Sequence, residues 1–277
     1  MNKKIWFITG ISSGLGEAIA QAALDAGYFV IGTFRKEAQV QTFNKTNEGN
    51  GFSYQLDITN QKAIGNVIVQ TQERFGKIDV LVNNAGVGFV GAIEETSSEE
   101  ARQVFEANFF GTLALTNAVL PIMRKQKSGH IIQISSHGGI KAFAGFGIYN
   151  ASKFALEGFS EALAQEVAPL GIKVTLVEPG PFRTKFASES LGAAKQIIPD
   201  YDQTAGVFRN KLKSVDGKQE GDPVKAALAI VSLVKQEKPP LRLPLGKTPL
   251  VTIPMKLESV QKDLEATQEI AKTVVFE

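Results

Sequence analysis

The stretch Thr9-Gly10-Ile11-Ser12-Ser13-Gly14-Leu15-Gly16 follows a short apolar run at residues 5–9 and opens a helical pattern over residues 14–26. A strand that enters a helix through three glycines can cradle a phosphate. Gly10 takes a tight turn that a side chain would forbid. Gly14 lets backbone approach a pyrophosphate, and Gly16 lets the helix pack close to the sheet. The free N–H groups at the helix start then face an anion. The spacing is G-x-x-x-G-x-G rather than the commoner G-x-G-x-x-G. A plain glycine-rich turn without a ligand is the competing reading, and the strand-to-helix context weighs against it.

The same alternation continues outward from this turn. Further β-rich runs fall at residues 29–33, 53–56, 78–82, 130–135 and 173–178, with a last candidate near 241–243. Helical patterns lie between them at 62–75, 101–124 and 149–168. Strands alternating with helices predict an α/β fold, a Rossmann-type doubly wound parallel sheet with helices on both faces. Residues 1–277 read as one domain, with no repeat or linker to divide them. Within it, 185–221 read as a variable substrate loop and 222–277 as a C-terminal extension. Ser188 to Gly221 mix Gly, Ala, Lys and Asp without clean periodicity, the pattern of a mobile lid. A helix is expected over 223–236, with Asp222 as N-cap and Pro223 at its first position. Another is expected over 254–272, with apolar positions at Leu257, Val260, Leu264 and Ile270.

Composition narrows the function classes. Thirty Lys and Arg against 28 Asp and Glu leave a net charge of +2, which gives no reason to expect nucleic acid or an anionic membrane as partner. The chain has no cysteine, so disulfides, thiolate nucleophiles and cysteine metal sites are excluded. The two histidines, His130 and His137, have no carboxylates at ligand spacing, so no metal site is expected. The apolar run that begins at Ile5 stops at Thr9-Gly10, short of a signal peptide. No stretch approaches the roughly 18 apolar residues of a membrane span. A soluble, cytoplasmic protein is the expectation.

The second strand ends Val30-Ile31-Gly32-Thr33-Phe34-Arg35-Lys36. In dinucleotide folds an acidic residue about 20 positions beyond the glycines holds the ribose hydroxyls, whereas an arginine accommodates a 2′-phosphate. Here Phe34 fills the acid's position and Arg35 follows, with a planar guanidinium suited to phosphate. NADP(H) is therefore the expected cofactor. Glu37 keeps NAD open, and a solvated basic pair at a strand end is the bland alternative.

A further constellation carries the chemistry. The fifth run ends in Ser135-Ser136, and Tyr149-Asn150-Ala151-Ser152-Lys153 follows. Tyr149 and Lys153 are four apart, so on a helix they share a face. A nearby ammonium favours phenolate and lowers the tyrosine pKa, which makes general acid–base catalysis feasible near neutral pH. Ser136 stands where it can hold a substrate oxygen, at the strand end where open α/β sheets place ligands. Tyr-x-x-x-Lys by itself is a weak signal, since most such pairs are helix-surface neighbours.

Taken together, these strings resemble the short-chain dehydrogenase/reductase family from about Lys4 to Thr184. The matching residues are Thr9-Gly10-x-x-x-Gly14-x-Gly16, Asn83-Asn84-Ala85-Gly86, Asn108, Ser136, Tyr149-x-x-x-Lys153 and Pro179-Gly180-x-x-x-Thr184. The resemblance implies sheet order 3-2-1-4-5-6-7 and a hydride transfer to the pro-S face. It implies that Tyr149 is the general acid in reduction and the base in oxidation, and that Lys153 lowers its pKa and binds the nicotinamide ribose. Ser136, rather than Ser135, would orient the carbonyl. Asn108 would kink its helix and anchor a proton-relaying water. Cofactor contacts are implied for Gly10, Ser12, Ser13, Gly14, Leu15, Gly16, Arg35, Asp57, Ile58, Asn84, Ala85, Gly86, Tyr149, Lys153, Pro179, Gly180 and Thr184, with Asp57 on the adenine amino group and Thr184 on the carboxamide. A homodimer or homotetramer is implied, through the helices that carry Asn108 and Tyr149.

The expected function is an NADP(H)-dependent oxidoreductase that acts on a small-molecule carbonyl or alcohol. Phe143, Phe146, Phe182 and Phe186 lie where the pocket is expected and point to an apolar ketone or aldehyde, although core packing competes as an explanation. The C-terminal part resembles hydroxysteroid and retinol dehydrogenases of the same family. An NAD-linked alcohol dehydrogenase and a non-catalytic dinucleotide-binding regulator are the alternatives. Loss of Tyr149 or Lys153 would mark the regulator, and both are present. No hydrolase reading survives, because Ser135-Ser136 lacks the G-x-S-x-G elbow.

Overall fold

The computed structural model describes residues 3–186, 188 and 190–276, so Met1, Asn2, Ala187, Glu189 and Glu277 of the expected domain and loop lie outside the described residues. Among the described residues nine strands run in chain order: β1 (Ile5–Ile8), β2 (Phe29–Phe34), β3 (Gly51–Gln55), β4 (Val80–Asn83), β5 (Gly88–Val90), β6 (Gly129–Ile134), β7 (Ile172–Pro179), β8 (Leu191–Ala193) and β9 (Arg242–Leu245). Seven of them form one parallel sheet in the order β3-β2-β1-β4-β6-β7-β9. Counted within that sheet alone, this is the expected 3-2-1-4-5-6-7. β5 and β8 stand apart as a small parallel pair.

Both faces of the sheet are covered, which is why its strands read as unbroken apolar runs. β1 alternates sides: Ile5 and Phe7 join the core under one helical layer, Trp6 and Ile8 the core under the other. The first layer holds α3 (Gln61–Phe75), the long helix made of α4 (Ser98–Phe105) and α5 (Gly111–Gln126), and α6 (Gly147–Val167). The second holds α1 (Gly14–Asp25), α2 (Glu37–Thr46) and α8 (Pro223–Leu233). The strand order reverses between β1 and β4, and the crevice above this switch point is the natural ligand position.

Two segments differ from the sequence expectation. The stretch without periodicity is built rather than bare: it contains β8, a tight helical turn at Pro199–Tyr201, a widened one at Asp202–Gly206, and helix α7 (Val207–Ser214). A three-residue strand and an eight-residue helix are too short to display a period. The last helix, α9 (Lys247–Lys272), starts seven residues before the expected Pro254. Proline is at home in a first helical turn, which made Pro254 look like a start. In the structure Pro249 occupies that turn and Pro254 sits inside, on a solvent-exposed position. Asp222 caps α8 as expected, accepting from the Val224 N–H at 2.9 Å.

Candidate active site

The glycine turn is anchored from below by Asn84 and Thr9. The Asn84 amide donates to the carbonyls of Thr9 and Gly10 at 2.9 and 3.1 Å. The Thr9 hydroxyl accepts from the backbone N–H groups of Asn84 and Ala85, both at 3.0 Å. Gly10 holds φ +69°, the left-handed region that a side chain resists. A Cβ on Gly16 would stand 2.3 Å from the Asn84 amide nitrogen and 2.4 Å from the Gly10 carbonyl oxygen, so this helix end reaches the sheet only as glycine.

Ser13, the N-cap of α1, is extended and makes no side-chain capping bond. The first N–H groups of α1 are thus left for an external acceptor. Thr184 closes the other side, its Cβ 3.2 Å from where a Gly14 Cβ would be. Such a cradle, with an uncapped helix start and no room for side chains, fits the pyrophosphate of a dinucleotide.

At the end of β2, Phe34 is buried and stacks at a tilt on Phe43, ring centroids 5.7 Å apart. It is a core residue, and Arg35, the next residue after β2, is exposed. Arg35 has no ion pair among the described residues, and its carbonyl accepts from Gln55 at 2.9 Å. Asp57 is exposed, one carboxylate oxygen taken by the Thr59 N–H at 2.9 Å and its hydroxyl at 2.8 Å. The Ile58 side chain packs in the core, which leaves only its backbone for a ligand. Pro179 ends β7, and the Gly180 N–H donates to Leu245 at 2.9 Å.

Tyr149 and Lys153 share one face of α6, as their spacing requires, and both are buried. The Ser136 hydroxyl sits next to the Tyr149 hydroxyl and favours its phenolate. Lys153 Nζ donates to the Ile134 carbonyl at 2.8 Å and lies 5.9 Å from the Tyr149 ring centre. In the chain by itself, burial outweighs the hydrogen bond from Ser136 and pushes Tyr149 up to about 12. Burial also pulls Lys153 down to about 8, with the Glu157 carboxylate pushing back. The ammonium is turned toward Ile134, so it does not offset the desolvation of the phenol.

Asn108 lies in a widened helical turn, Glu106–Phe110, between α4 and α5. Its carbonyl accepts from the Val87 N–H at 2.8 Å, and its amide donates to the Val87 carbonyl at 2.9 Å and the Ser152 hydroxyl at 3.0 Å. Ser152 donates in turn to the Tyr149 carbonyl at 2.7 Å. Gly86 runs between Asn108 and Lys153, its missing Cβ 3.0 Å from the Asn108 oxygen and 3.8 Å from Lys153 Nζ.

Aromatic rings roof the tyrosine. Phe146 stands 4.4 Å and Phe186 5.8 Å from its ring centre. Phe208 of α7 lies 5.1 Å from Phe146 and stacks 6.4 Å from Phe143. Val90, Leu191 and Leu212 complete the cluster. Phe182 does not join it; its backbone bridges Gly221 and its ring packs over that glycine. Phe208, Leu191, Leu212 and Val90 went unnoticed in the sequence, although the four-residue spacing of Phe208 and Leu212 was a readable signal.

His137 borders the roof, its ring 5.1 Å from Phe143 and its Nδ1 3.2 Å from the Thr252 hydroxyl on α9. His130 is remote, bonded to Thr175 at 3.0 Å and held down to about 4 by burial and by Lys173 and Lys4. No cluster of metal-ligating side chains occurs among the described residues. No helix there is long and apolar enough to cross a membrane.

This fold and this Ser–Tyr–Lys arrangement define an oxidoreductase of the short-chain dehydrogenase/reductase family, and the chain belongs to it: the family model described as short chain dehydrogenase matches residues 4–194. The chain is similar to oxidoreductase BOA17 of Botryotinia fuckeliana, 42% identical over 244 residues that cover 88% of this chain and 89% of that protein. It is also similar to the 3-ketodihydrosphingosine reductase of Bacteroides thetaiotaomicron, 39% identical over 255 residues and 91% of each chain. A short-chain dehydrogenase from Streptomyces avermitilis superposes with a TM-score of 0.93 at 42% identity, covering 100% of both chains. An alcohol dehydrogenase from Thermococcus sibiricus, solved with 5-hydroxy-NADP, superposes with a TM-score of 0.71 at 25% identity, covering 88% of this chain and 96% of that one.

Proposed function

We infer that the protein is an NADP(H)-dependent oxidoreductase that interconverts an apolar ketone or aldehyde with its alcohol. The observation that carries this reading is the Tyr149 hydroxyl, buried beside Ser136 and Lys153 beneath a roof of phenylalanines. An apolar roof over a proton donor selects substrates by hydrophobic contact and leaves the polar carbonyl to one hydrogen-bonding corner. The name of the Bacteroides relative, a ketone reductase, supports the same class.

A bound nicotinamide supplies the hydride chemistry. The chain supplies position and proton management. Ser136 holds the substrate oxygen by hydrogen bond, and Tyr149 donates its phenolic proton to that oxygen in reduction or takes it back in oxidation. Lys153 would hold the nicotinamide ribose and, as an ammonium beside the ring, favour the phenolate. Asn108 fixes the backbone at Val87 and Ser152, so that Tyr149 and Lys153 keep their places, and anchors the proton-relaying water. The N–H groups from Gly14 to Gly16 hold the pyrophosphate. Asp57 and Ile58 border the adenine, and Thr184 meets the carboxamide.

Arg35 is the reason for preferring NADP(H): an exposed guanidinium at the ribose position matches a 2′-phosphate through two parallel hydrogen bonds. One observation favours an NAD-linked enzyme as second reading, the exposed Glu37 that opens α2. Association as a homodimer or homotetramer in the cytoplasm completes the proposal, with exposed Phe110 and Phe154 as apolar contacts. The deciding experiment is titration of the purified protein with NADPH and with NADH, followed by nicotinamide fluorescence. Tighter binding of NADPH is expected. Tighter NADH binding overturns the cofactor assignment, and binding of neither overturns the function.

A further inference from the structure

α6 carries more on its catalytic face than Tyr149 and Lys153. One turn beyond Lys153 lies Glu157, and one turn beyond that Glu161. Side chains four apart on a helix stand about 6 Å from each other at Cβ. Glu157 is as buried as the lysine, at 5% against 6% exposure. A carboxylate in that position needs a reason to be charged, because burial alone would neutralise it.

Arg242 of β9 provides one. Its Nη1 donates to Glu157 and, at 3.1 Å, to Glu178 of β7; its Nη2 donates to Glu161 at 2.9 Å. Ser135 leans on the Glu157 carboxylate from the end of β6, where Gly139 leaves the space. The groups around Lys153 and Glu157 are therefore Tyr149 and Glu161 on α6, Glu178 on β7 and Arg242 on β9, with Lys256 of α9 lining the same groove as Glu157.

We propose that Glu157 is a positioning residue for the reaction: a buried carboxylate, fixed by Arg242, that holds Lys153 as an ammonium. The proposal rests on the reading of Tyr149 and Lys153 as the acid–base pair. Two positive and two negative side chains are buried or half-buried here, so each ion keeps a counter-ion within the cluster. Of the acidic groups, Glu157 is the one whose charge acts directly on Lys153, opposing the desolvation that pulls the lysine to about 8. Burial in turn pushes Glu157 up, and Ser135 and Arg242 hold it back. Burial and the neighbouring Glu157 push Glu178 up to about 7, with Arg242 opposing both. Without the carboxylate nothing would oppose the desolvation of Lys153, which would lose its proton earlier.

The test reads Lys153 directly. The full chain, labelled with [13Cε]lysine and free of cofactor, is titrated by NMR, with the Lys153 signal assigned through Lys153→Arg. Glu157→Gln is expected to move the Lys153 midpoint down by about one pH unit or more, the effect of losing an adjacent opposite charge. Glu157→Asp, which keeps the charge, is expected to restore most of that shift. An unmoved midpoint in Glu157→Gln overturns the proposal, since a merely structural glutamate would not set the lysine's charge. Should the glutamine variant not fold, Glu157→Met removes the charge at similar length and is read the same way. Reduction of p-nitrobenzaldehyde with NADPH by Tyr149→Phe separates the two levels: undiminished turnover sinks the acid–base reading, whereas the Lys153 titration judges Glu157 alone.

Discussion

Arg209 on α7 is ion-paired at 2.5 Å with Glu95, a carboxylate buried in the loop ahead of α4. The same carboxylate accepts from the N–H groups of Ala92 at 2.8 Å and Ile198 at 3.0 Å. Glu95 thus ties β5's exit, the segment after β8 and the helix that roofs Tyr149 into one unit.

Arg209→Met should therefore cost about 1–3 kcal/mol, the usual penalty for stripping a buried charged group of a partner. The sign of its pH dependence is fixed. Burial opposes it, but the N–H groups of Ile198 and Ala92 together with Arg209 hold Glu95 below the ordinary carboxylate value of 4.5. The stabilisation is fully present above that value and is lost as pH falls through the lower, folded one. Urea unfolding from neutral to acid pH should show wild type and variant converging at the acid end.

Tyr149→Phe should lower turnover by about 10²–10⁴-fold, the range for loss of a general acid. NADPH affinity should stay unchanged, because the hydroxyl faces Ser136 rather than the glycine turn. Stopped-flow reduction and fluorescence titration measure the two separately.

Arg35→Ala removes the charged fork at the end of β2. A charged hydrogen bond of about 1.5–3 kcal/mol translates into a tenfold or greater rise in the Kd for NADPH, with the Kd for NADH held. Equal losses for both cofactors would remove the 2′-phosphate argument.

Gly16→Ala drives a methyl group into the Gly10 carbonyl and the Asn84 amide, 2.4 and 2.3 Å away. Backbone cannot swing aside as a side chain can, so a cost of about 1–3 kcal/mol is expected, together with loss of dinucleotide binding. Thermal unfolding with and without NADPH checks both: the variant should melt earlier and gain nothing from the cofactor.

Phe208→Ala opens the roof without touching Tyr149. KM for an apolar aldehyde should rise about tenfold while kcat holds, the signature of lost ground-state contact. A fall in kcat instead would place Phe208 in the chemistry.

The parts of this molecule that follow from local rules were readable in advance. The switch from strand to helix at Gly10–Gly16 and the shared face of Tyr149 and Lys153 depend on spacing along one stretch of chain. The parts decided by distant pairing were not. β8 is held by β5, about a hundred residues upstream in the chain, and neither strand is long enough to show alternation. Arg242 meets Glu178 only because β9 is laid beside β7, a register that no local pattern encodes. Phe182 looked like a pocket residue by proximity to Thr184, yet the bridge to Gly221 turns it elsewhere. Spacing shows likewise that a lysine is near Tyr149, and says nothing of how deeply both groups are buried.

The chain that begins at Thr184, against the glycine turn, ends its course over Tyr149 with Phe208 and Leu212. One continuous segment thus answers to two selective pressures with different tolerances. At its far end only Phe208 and Leu212 face the roof, so a change at either reshapes it while the Arg209–Glu95 pair still holds α7 in place. At its root the segment stands against the glycine turn, where a Cβ on Gly14 would come within 3.2 Å of the Thr184 Cβ. A laboratory library aimed at new specificity therefore belongs at 208 and 212 rather than at 184.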